Sequence, residues 1–411
     1  MPELLPLLAR QPIFNRKMQV VAYELLYRSS DMNKATFNDG DRASSQVILN
    51  TYGNLSMAAV VGPHQAYINF TRALLRTPPP FDRRQLVIEV LENQEVDADM
   101  LDSLKNLKKQ GYTIALDDFV LGPDTCRLLP YADVIKLDVL ALDQRQLYEH
   151  INYLKPLKKI LLAEKVETYE TLEFCKSVGF DLFQGYFLAR PKIIKGRQVS
   201  ESKQAVLQLL TILHDPEVSI AQVDRLISQD PMLSYKLLKL VNSAAFALPR
   251  SISSLRQAIT LLGLNIIRNW INLLAMANLG DKPLELSVAA MTRARMCEVI
   301  AQKTDQEARS DSYFTVGLLS TLDAFMDVPM ESLLTNIALS PELTDALLAY
   351  AGDEGAVLKI VEHYERAEWE LIDWQYLEQR NISPGQLSHI YLDALSWVSD
   401  TMDNMGISRT H

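Results

Sequence analysis

The sequence predicts an α/β fold followed by an all-α one: a modified (β/α)8 barrel over residues 1–190, a linker over 191–202 and a helical bundle over 203–411. Three observations predict it. From Gln11 to Leu188 short β-rich runs alternate with longer amphipathic stretches, the pattern of successive βα units. A single polar residue closes nearly every one of those runs. Strand signals become scarce after Gln204, while helix-capping signals multiply. The length of 411 residues, at roughly 100 to 200 per domain, also requires more than one compact core.

The β-rich runs begin at Gln11 (QPIF), Val20 (VVAYELL), Ala66 (AYINF), Leu86 (LVIEV), Thr113 (TIAL), Val134 (VIKL), Ile160 (ILLA) and Phe180 (FDLFQ). Only Asn15 to Gln19 separates the first two, too short for a parallel crossover, so these form an antiparallel hairpin. The others are spaced widely enough for helices on the outside of a TIM-like barrel. The stretch ARPKIIKGRQVSES after Leu188 has a Pro, a Gly and several charges but no sustained period, and reads as the linker. Beyond it, Ser219 with Gln222 makes a capping box, Asp230-Pro231 an N-cap followed by Pro in the first turn, and Ser254 with Gln257 a second box before Gly263 ends the helix. Each precedes an amphipathic run. Met232, Trp270 and Met276 read as core at helical spacing.

Apolar residues make up 48% and charged residues 22%, with 15 Gly and 18 Pro; this is ordinary globular usage and excludes disordered, collagenous and coiled-coil chains. Against 41 Lys and Arg stand 51 Asp and Glu, a net negative charge that argues against DNA or an anionic membrane as partner. Cys126, Cys175 and Cys297 are odd in number and far apart, so neither a disulfide framework nor a zinc site is indicated, and a reducing, cytoplasmic setting is expected. Met1-Pro2-Glu3 opens no signal peptide, and no apolar run approaches a membrane span.

The polar residues closing the runs are Glu24, Asn69, Glu89, Asp117, Lys136, Glu164 and Gln184, and after Asn69 they recur at gaps of 20, 28, 19, 28 and 20 residues. In a parallel barrel such positions lie at the C-terminal mouth, where active sites are built. Glu89, Asp117 and Glu164 each follow an apolar inward residue by two, which keeps them on the inner face. One such Glu is an ordinary solvated loop residue; a full row is not. Clustered carboxylates repel unless a cation joins them, and an all-oxygen set without His suits Mg²⁺ or Mn²⁺ rather than zinc. Asp117-Asp118 could bridge two cations, the arrangement used for phosphoester hydrolysis. Lys136 and Arg28 would supply positive charge for phosphate oxygens, Lys136 alternatively serving as counter-ion to Asp138 or Asp117.

In order and chemistry these residues resemble the EAL-domain family, which hydrolyses cyclic di-GMP. The pieces run Q11-P12-I13, E24-L25-L26-Y27-R28, N69-F70-T71, E89-V90-L91-E92, D117-D118-F119, K136-L137-D138, A163-E164-K165-V166-E167 and Q184-G185-Y186. The resemblance implies metal ligation by Glu24, Asn69, Glu89 and Asp117, with Asp118 at a second metal. It implies Glu164 as the group activating water, assisted by Lys136, with Gln11, Arg28, Gln184 and Asp138 around the dinucleotide and Glu92 and Glu167 supporting the site. The cofactor would be Mg²⁺ or Mn²⁺ and the product linear pGpG. Several positions depart from the family pattern: Leu25 replaces the Ala of the signature tripeptide, Val120-Leu121-Gly122-Pro123 replaces a Gly-Thr-Gly loop, Lys165 replaces a Gly, Thr71 a Ser, and the segment from Arg28 to Asn69 is short. A receptor that binds without turnover is the alternative these departures raise.

From about Ser200 the chain resembles an HDOD domain, a helical relative of HD and HD-GYP phosphohydrolases without their metal site, on D230-P231-M232-L233-S234 and K239-L240-V241-N242-S243. Ser320-Thr321 follows Gly317-Leu318-Leu319 where a working HD domain has His-Asp; His214-Asp215 reads as a helix-end turn, and His363, His389 and His411 as surface or core. The resemblance implies a regulatory module for a protein partner or homodimerisation.

Overall fold

The computed structural model describes residues 7–28, 57–78, 82–192, 201–228, 230–242 and 252–405, apart from 253, 278, 280, 281, 305, 336 and 338. Most of the segment between Arg28 and Asn69 and of the expected linker lies outside the described residues, as does His411. The chain divides into two compact units, the first Met1–Leu188 with Glu365–Ala367 and Pro384–Ser388, the second the remainder.

The first unit is a closed eight-stranded barrel whose strands follow chain order: β1 (Leu7–Asn15), β2 (Val20–Arg28), α1 (Met57–Val61), β3 (Gln65–Phe70), α2 (Arg72–Arg76), β4 (Leu86–Val90), α3 (Ala98–Lys109), β5 (Thr113–Leu116), β6 (Val134–Asp138), α4 (Gln144–Leu154), β7 (Ile160–Glu164), α5 (Tyr169–Val178) and β8 (Leu182–Gln184). β1 runs antiparallel to both β2 and β8, and every other neighbour is parallel. The expected hairpin is closed by Asn15, whose side-chain oxygen accepts the Lys17 and Gln19 amides at 2.9 and 3.0 Å.

Two boundaries differ from the sequence reading. β1 starts at Leu7 rather than Gln11, because Leu7, Leu8, Ala9 and Arg10 are all buried and so show no alternation. β8 starts at Leu182 rather than Phe180: Gly179 ends α5 at φ 110° and the Phe180 amide still bonds the Cys175 carbonyl. The helices begin where local chemistry satisfies their free amides. Asp97 caps α3, Thr168 caps α5, and Asp143 with Gln146 forms a reciprocal box at α4. Ile13, Ala22, Tyr67, Val87, Ala115, Val134 and Leu162 fill one layer of the barrel interior, with Val21 and Leu182 packed against it.

In the second unit the described residues are helical: α6 (Glu201–Leu213), α7 (Ile220–Ser228), α8 (Pro231–Val241), α9 (Leu255–Leu262), α10 (Leu264–Ala277), α11 (Leu284–Gln302), α12 (Ser310–Leu319) and shorter and longer helices up to Met405. Ser219 and Gln222 exchange the bonds of a capping box, Asp230 accepts the Met232 and Leu233 amides, and Ser254 accepts that of Gln257. Asn242 ties the end of α8 to Ile252 through both its oxygen and its nitrogen, at 2.6 and 2.8 Å. Gly317 lets α12 press against α11, since a Cβ there would lie 2.7 Å from the Ala294 Cα. Trp270 and Met276 are buried as expected, but Met232 is 58% exposed. The buried face of α8 runs through Leu233, Leu237 and Leu240, and Met232 stands beside that stripe rather than on it.

His214 lies in the turn after α6 and bonds Asn272 at 3.0 Å, His363 pairs with Glu368, and His389 is exposed. Ser320 bonds Arg293, whose guanidinium is paired with Glu362 at 2.8 Å. No described helix is long and apolar enough to cross a membrane, and Cys126, Cys175 and Cys297 are thiols outside any disulfide.

Candidate active site

The polar row forms the layer directly above the apolar one. Glu24 follows Ala22 by two, Asn69 follows Tyr67, Glu89 follows Val87, Asp117 follows Ala115, Lys136 follows Val134, Glu164 follows Leu162 and Gln184 follows Leu182. On antiparallel β1 the order inverts, and Gln11 precedes Ile13 by two. Side chains two apart share a face, so all eight point inward at one level. The registers agree: Gln11 faces Glu24 and Asn69 faces Glu89.

At the centre stands the Lys136 ammonium, fully buried. It lies 2.6 Å from Glu89, 2.7 Å from Asp117, 2.9 Å from Glu164 and 3.2 Å from Glu24. Burial alone would push its pKa down; the four carboxylates outweigh this and hold it well above the ordinary lysine value. Lys136 is thus the counter-ion of the inner carboxylates, Asp117 among them, rather than a charge offered at the surface. Burial, reinforced by Glu24, pushes Glu89 well above the carboxylate range. Burial likewise raises Glu164 to about 8 and raises Asp118. Gln184 donates to Glu24 at 2.6 Å and to Gln11 at 2.8 Å, Gln11 donates to the Tyr186 hydroxyl, and Asn69 donates to Glu24 at 3.5 Å.

Around this ring lie the loop residues. Asp117 leaves β5 with its amide on the Val90 carbonyl, and the Phe119 amide bonds the Lys136 carbonyl, so the Asp117-Asp118 step is pinned between β4 and β6. Asp118 has φ 40° and Lys165 φ 55°, the left-handed region that glycine enters freely. The Lys165 ammonium ion-pairs with Asp138 and lies 4.0 Å from Asp118. The other Asp138 oxygen accepts the Leu140 and Ala141 amides at 2.8 and 3.0 Å. Burial would raise Asp138, but these bonds, led by that of Lys165, hold it below the usual range. Gly185, at φ 148°, packs against Val166 so closely that a Cβ would fall 2.0 Å from the carbonyl oxygen. Arg28 ends β2 half-buried, Glu167 is half-buried in the loop after β7, and Glu92 is exposed in the loop after β4.

His150 was not foreseen. It lies on α4, outside the strand-end pattern, yet is buried and accepts the Leu121 amide at 2.9 Å while contacting the Gln146 carbonyl at 2.7 Å. A carbonyl only accepts and an amide only donates, so the proton sits on Nδ1. The ring fixes the loop following Asp117-Asp118-Phe119, a role that only three-dimensional proximity reveals.

Among the described residues no three Asp, Glu, His or Cys side chains stand together as a preformed metal cage; Lys136 holds the middle of the carboxylates. The oxygens nevertheless suit a hard divalent cation. Asn69 Oδ1, Glu89 Oε2, Glu164 Oε2 and Asp118 Oδ1 are buried without a hydrogen-bond partner, a costly state for carboxylate and amide oxygens, and a cation bound by oxygen donors relieves it.

The EAL domain family model matches residues 42–191 and the HDOD domain model residues 201–332. β1 and β2 precede the first match, and barrel closure brings their Gln11 and Glu24 into the ring. YuxH of Bacillus subtilis is 35% identical over 407 residues, 96% of this chain and 98% of that protein. CdgJ of Vibrio cholerae, named a cyclic di-GMP phosphodiesterase, is 35% identical over 376 residues, 90% of this chain and 87% of that protein. Klebsiella pneumoniae BlrP1, solved as a complex with manganese and cyclic di-GMP, is 25% identical with a TM-score of 0.37, over 46% of this chain and 56% of that one. Two models matched in sequence order, and relatives aligned along nearly their whole length, make this chain a member of the family that joins an EAL domain to an HDOD domain.

Proposed function

We propose that the barrel is a cyclic di-GMP phosphodiesterase, binding the dinucleotide with a divalent cation, Mg²⁺ or Mn²⁺, and hydrolysing one phosphodiester to linear pGpG. The observation that carries this reading is the ring of inward oxygens whose buried lone pairs on Asn69, Glu89 and Glu164 have no partner; CdgJ, a relative along most of the chain, carries that activity in its name. Glu24, Asn69, Glu89 and Asp117 would hold the cation, which when bound would supply positive charge to polarise a phosphoryl oxygen and acidify the attacking water. Glu164 takes the proton from the attacking water, since a base raised toward neutrality suits that task. Lys136, 2.9 Å away, stabilises the carboxylate before the proton arrives. Gln11, Gln184 and Arg28 at the rim meet the dinucleotide, with Asp138, Glu92 and Glu167 in the surrounding loops. The HDOD unit is regulatory, acting on a protein partner or a second copy, in the cytoplasm.

The test is incubation of the purified protein with cyclic di-GMP and Mg²⁺ or Mn²⁺, product followed by chromatography and binding by calorimetry, with Glu164→Gln as control. Product that vanishes in the control supports the reading. Binding without product makes the protein a receptor, a second reading favoured by the Lys165–Asp138 ion pair at the mouth. Neither binding nor product sinks both.

A further inference from the structure

We propose that this site takes one divalent cation rather than two, because the Lys165 ammonium occupies the second cation's place. The proposal rests on the reading of the barrel mouth as a cation site and adds its stoichiometry. Adjacent aspartates, Asp117 and Asp118, are the sequence feature that favours a pair of cations. In the fold they separate. Asp117 turns to the inner ring, 2.7 Å from Lys136, whereas Asp118, at φ 40°, looks toward the loop after β7.

There Lys165 follows Glu164 at the end of β7, and Glu164 is in register with Asp138 at the end of β6. Its left-handed backbone, φ 55°, turns the side chain across the mouth, where one ammonium meets Asp138 and stands 4.0 Å from Asp118. A second divalent ion would need the same Asp118 oxygens and the same space. Asp138 is already engaged through both oxygens, one on the Leu140 and Ala141 amides and the other on Lys165. Charge separates the two positions as well. With every group ionised, the inner set of Glu24, Glu89, Asp117 and Glu164 keeps an excess of three negative charges over Lys136, while Asp118 and Asp138 keep an excess of one over Lys165. The inner position still attracts a divalent ion strongly; the outer one is half neutralised, and of its two carboxylates only Asp118 keeps an oxygen without a hydrogen-bond partner.

The experiment titrates Mn²⁺ alone into the metal-free full-length protein, by calorimetry and electron paramagnetic resonance, for the wild type, Lys165→Gly and Lys165→Met. Methionine keeps a Cβ in the left-handed position and removes only the charge, so it separates charge from backbone. The wild type is expected to bind one ion with the spectrum of isolated Mn²⁺. Both variants are expected to bind a second, its affinity raised roughly tenfold or more, with the exchange-coupled spectrum of a pair about 3.5 to 4 Å apart. A wild type that binds two coupled ions overturns the proposal and leaves the cation site standing, and so do variants that stay at one. If no protein binds an ion, the cation site itself falls, and the proposal with it.

Discussion

Replacing Lys136 by methionine removes the ammonium at the centre of the inner carboxylates. Four carboxylates lie within 3.2 Å of its ammonium, the side chain is fully buried, and methionine fills nearly the same volume, so packing changes little. The loss is therefore electrostatic. Removing one partner of a buried ion pair leaves an uncompensated buried charge and costs about 3 to 5 kcal/mol. For a unit of about 190 residues, at roughly 2 cal/mol/K per residue, the entropy of unfolding is about 0.4 kcal/mol/K, and that loss lowers the midpoint by about 8 to 12 °C. The assay is thermal denaturation in chelator, followed in the transition that cyclic di-GMP or Mn²⁺ shifts. A second comparison isolates the charge. The variant's cluster is more negative, so added Mn²⁺ binds it more tightly and raises its midpoint by more than it raises the wild type's. A loss below about 1 kcal/mol in chelator, or equal gains from Mn²⁺ in both proteins, would refute the assignment of Lys136 as counter-ion of the ring.

Further outcomes follow from the same geometry. Gly185→Ala places a methyl 2.0 Å from the Val166 carbonyl oxygen and 2.5 Å from its nitrogen, so the backbone must move; a loss of about 3 kcal/mol in chemical denaturation is expected. His150→Phe preserves the buried ring but strands the Leu121 amide, which costs about 1 to 3 kcal/mol and reads out as faster hydrogen exchange at Leu121. His214 has its pKa lowered to about 3, first by burial and then by the Arg268 charge. The unfolded chain thus binds the proton and the native state does not, so stability is full above the unfolded pKa of about 6.5 and falls as the pH drops toward 3, by about 2 kcal/mol at pH 5. Denaturation of His214→Gln at the same pH values is expected to show a flatter profile, and an unchanged slope would remove His214 as its source.

Much of the inward polar ring was legible because it is written with a period of two along strands. Each polar residue stands two places beyond an inward apolar one, and barrel closure converts that spacing into a common level. Caps at Ser219, Asp230 and Ser254 were legible for the same reason, being contacts over two or three residues. Boundaries failed where burial on both sides erased alternation, as at Leu7 to Arg10, and Met232 failed because a residue one step from a helical stripe looks like part of it.

By itself, then, the sequence determined the order of the strands, the antiparallel start and which polar residues close them, since these depend on neighbours along the chain. Tertiary structure alone decided which charges meet. Lys136 draws together carboxylates from β2, β4, β7 and the end of β5; Lys165 reaches Asp138 across 27 residues and His150 holds Leu121 across 29. Such distances are set by strand tilt, register and loop path around a closed barrel, and Coulomb energy depends on distance in space rather than along the chain.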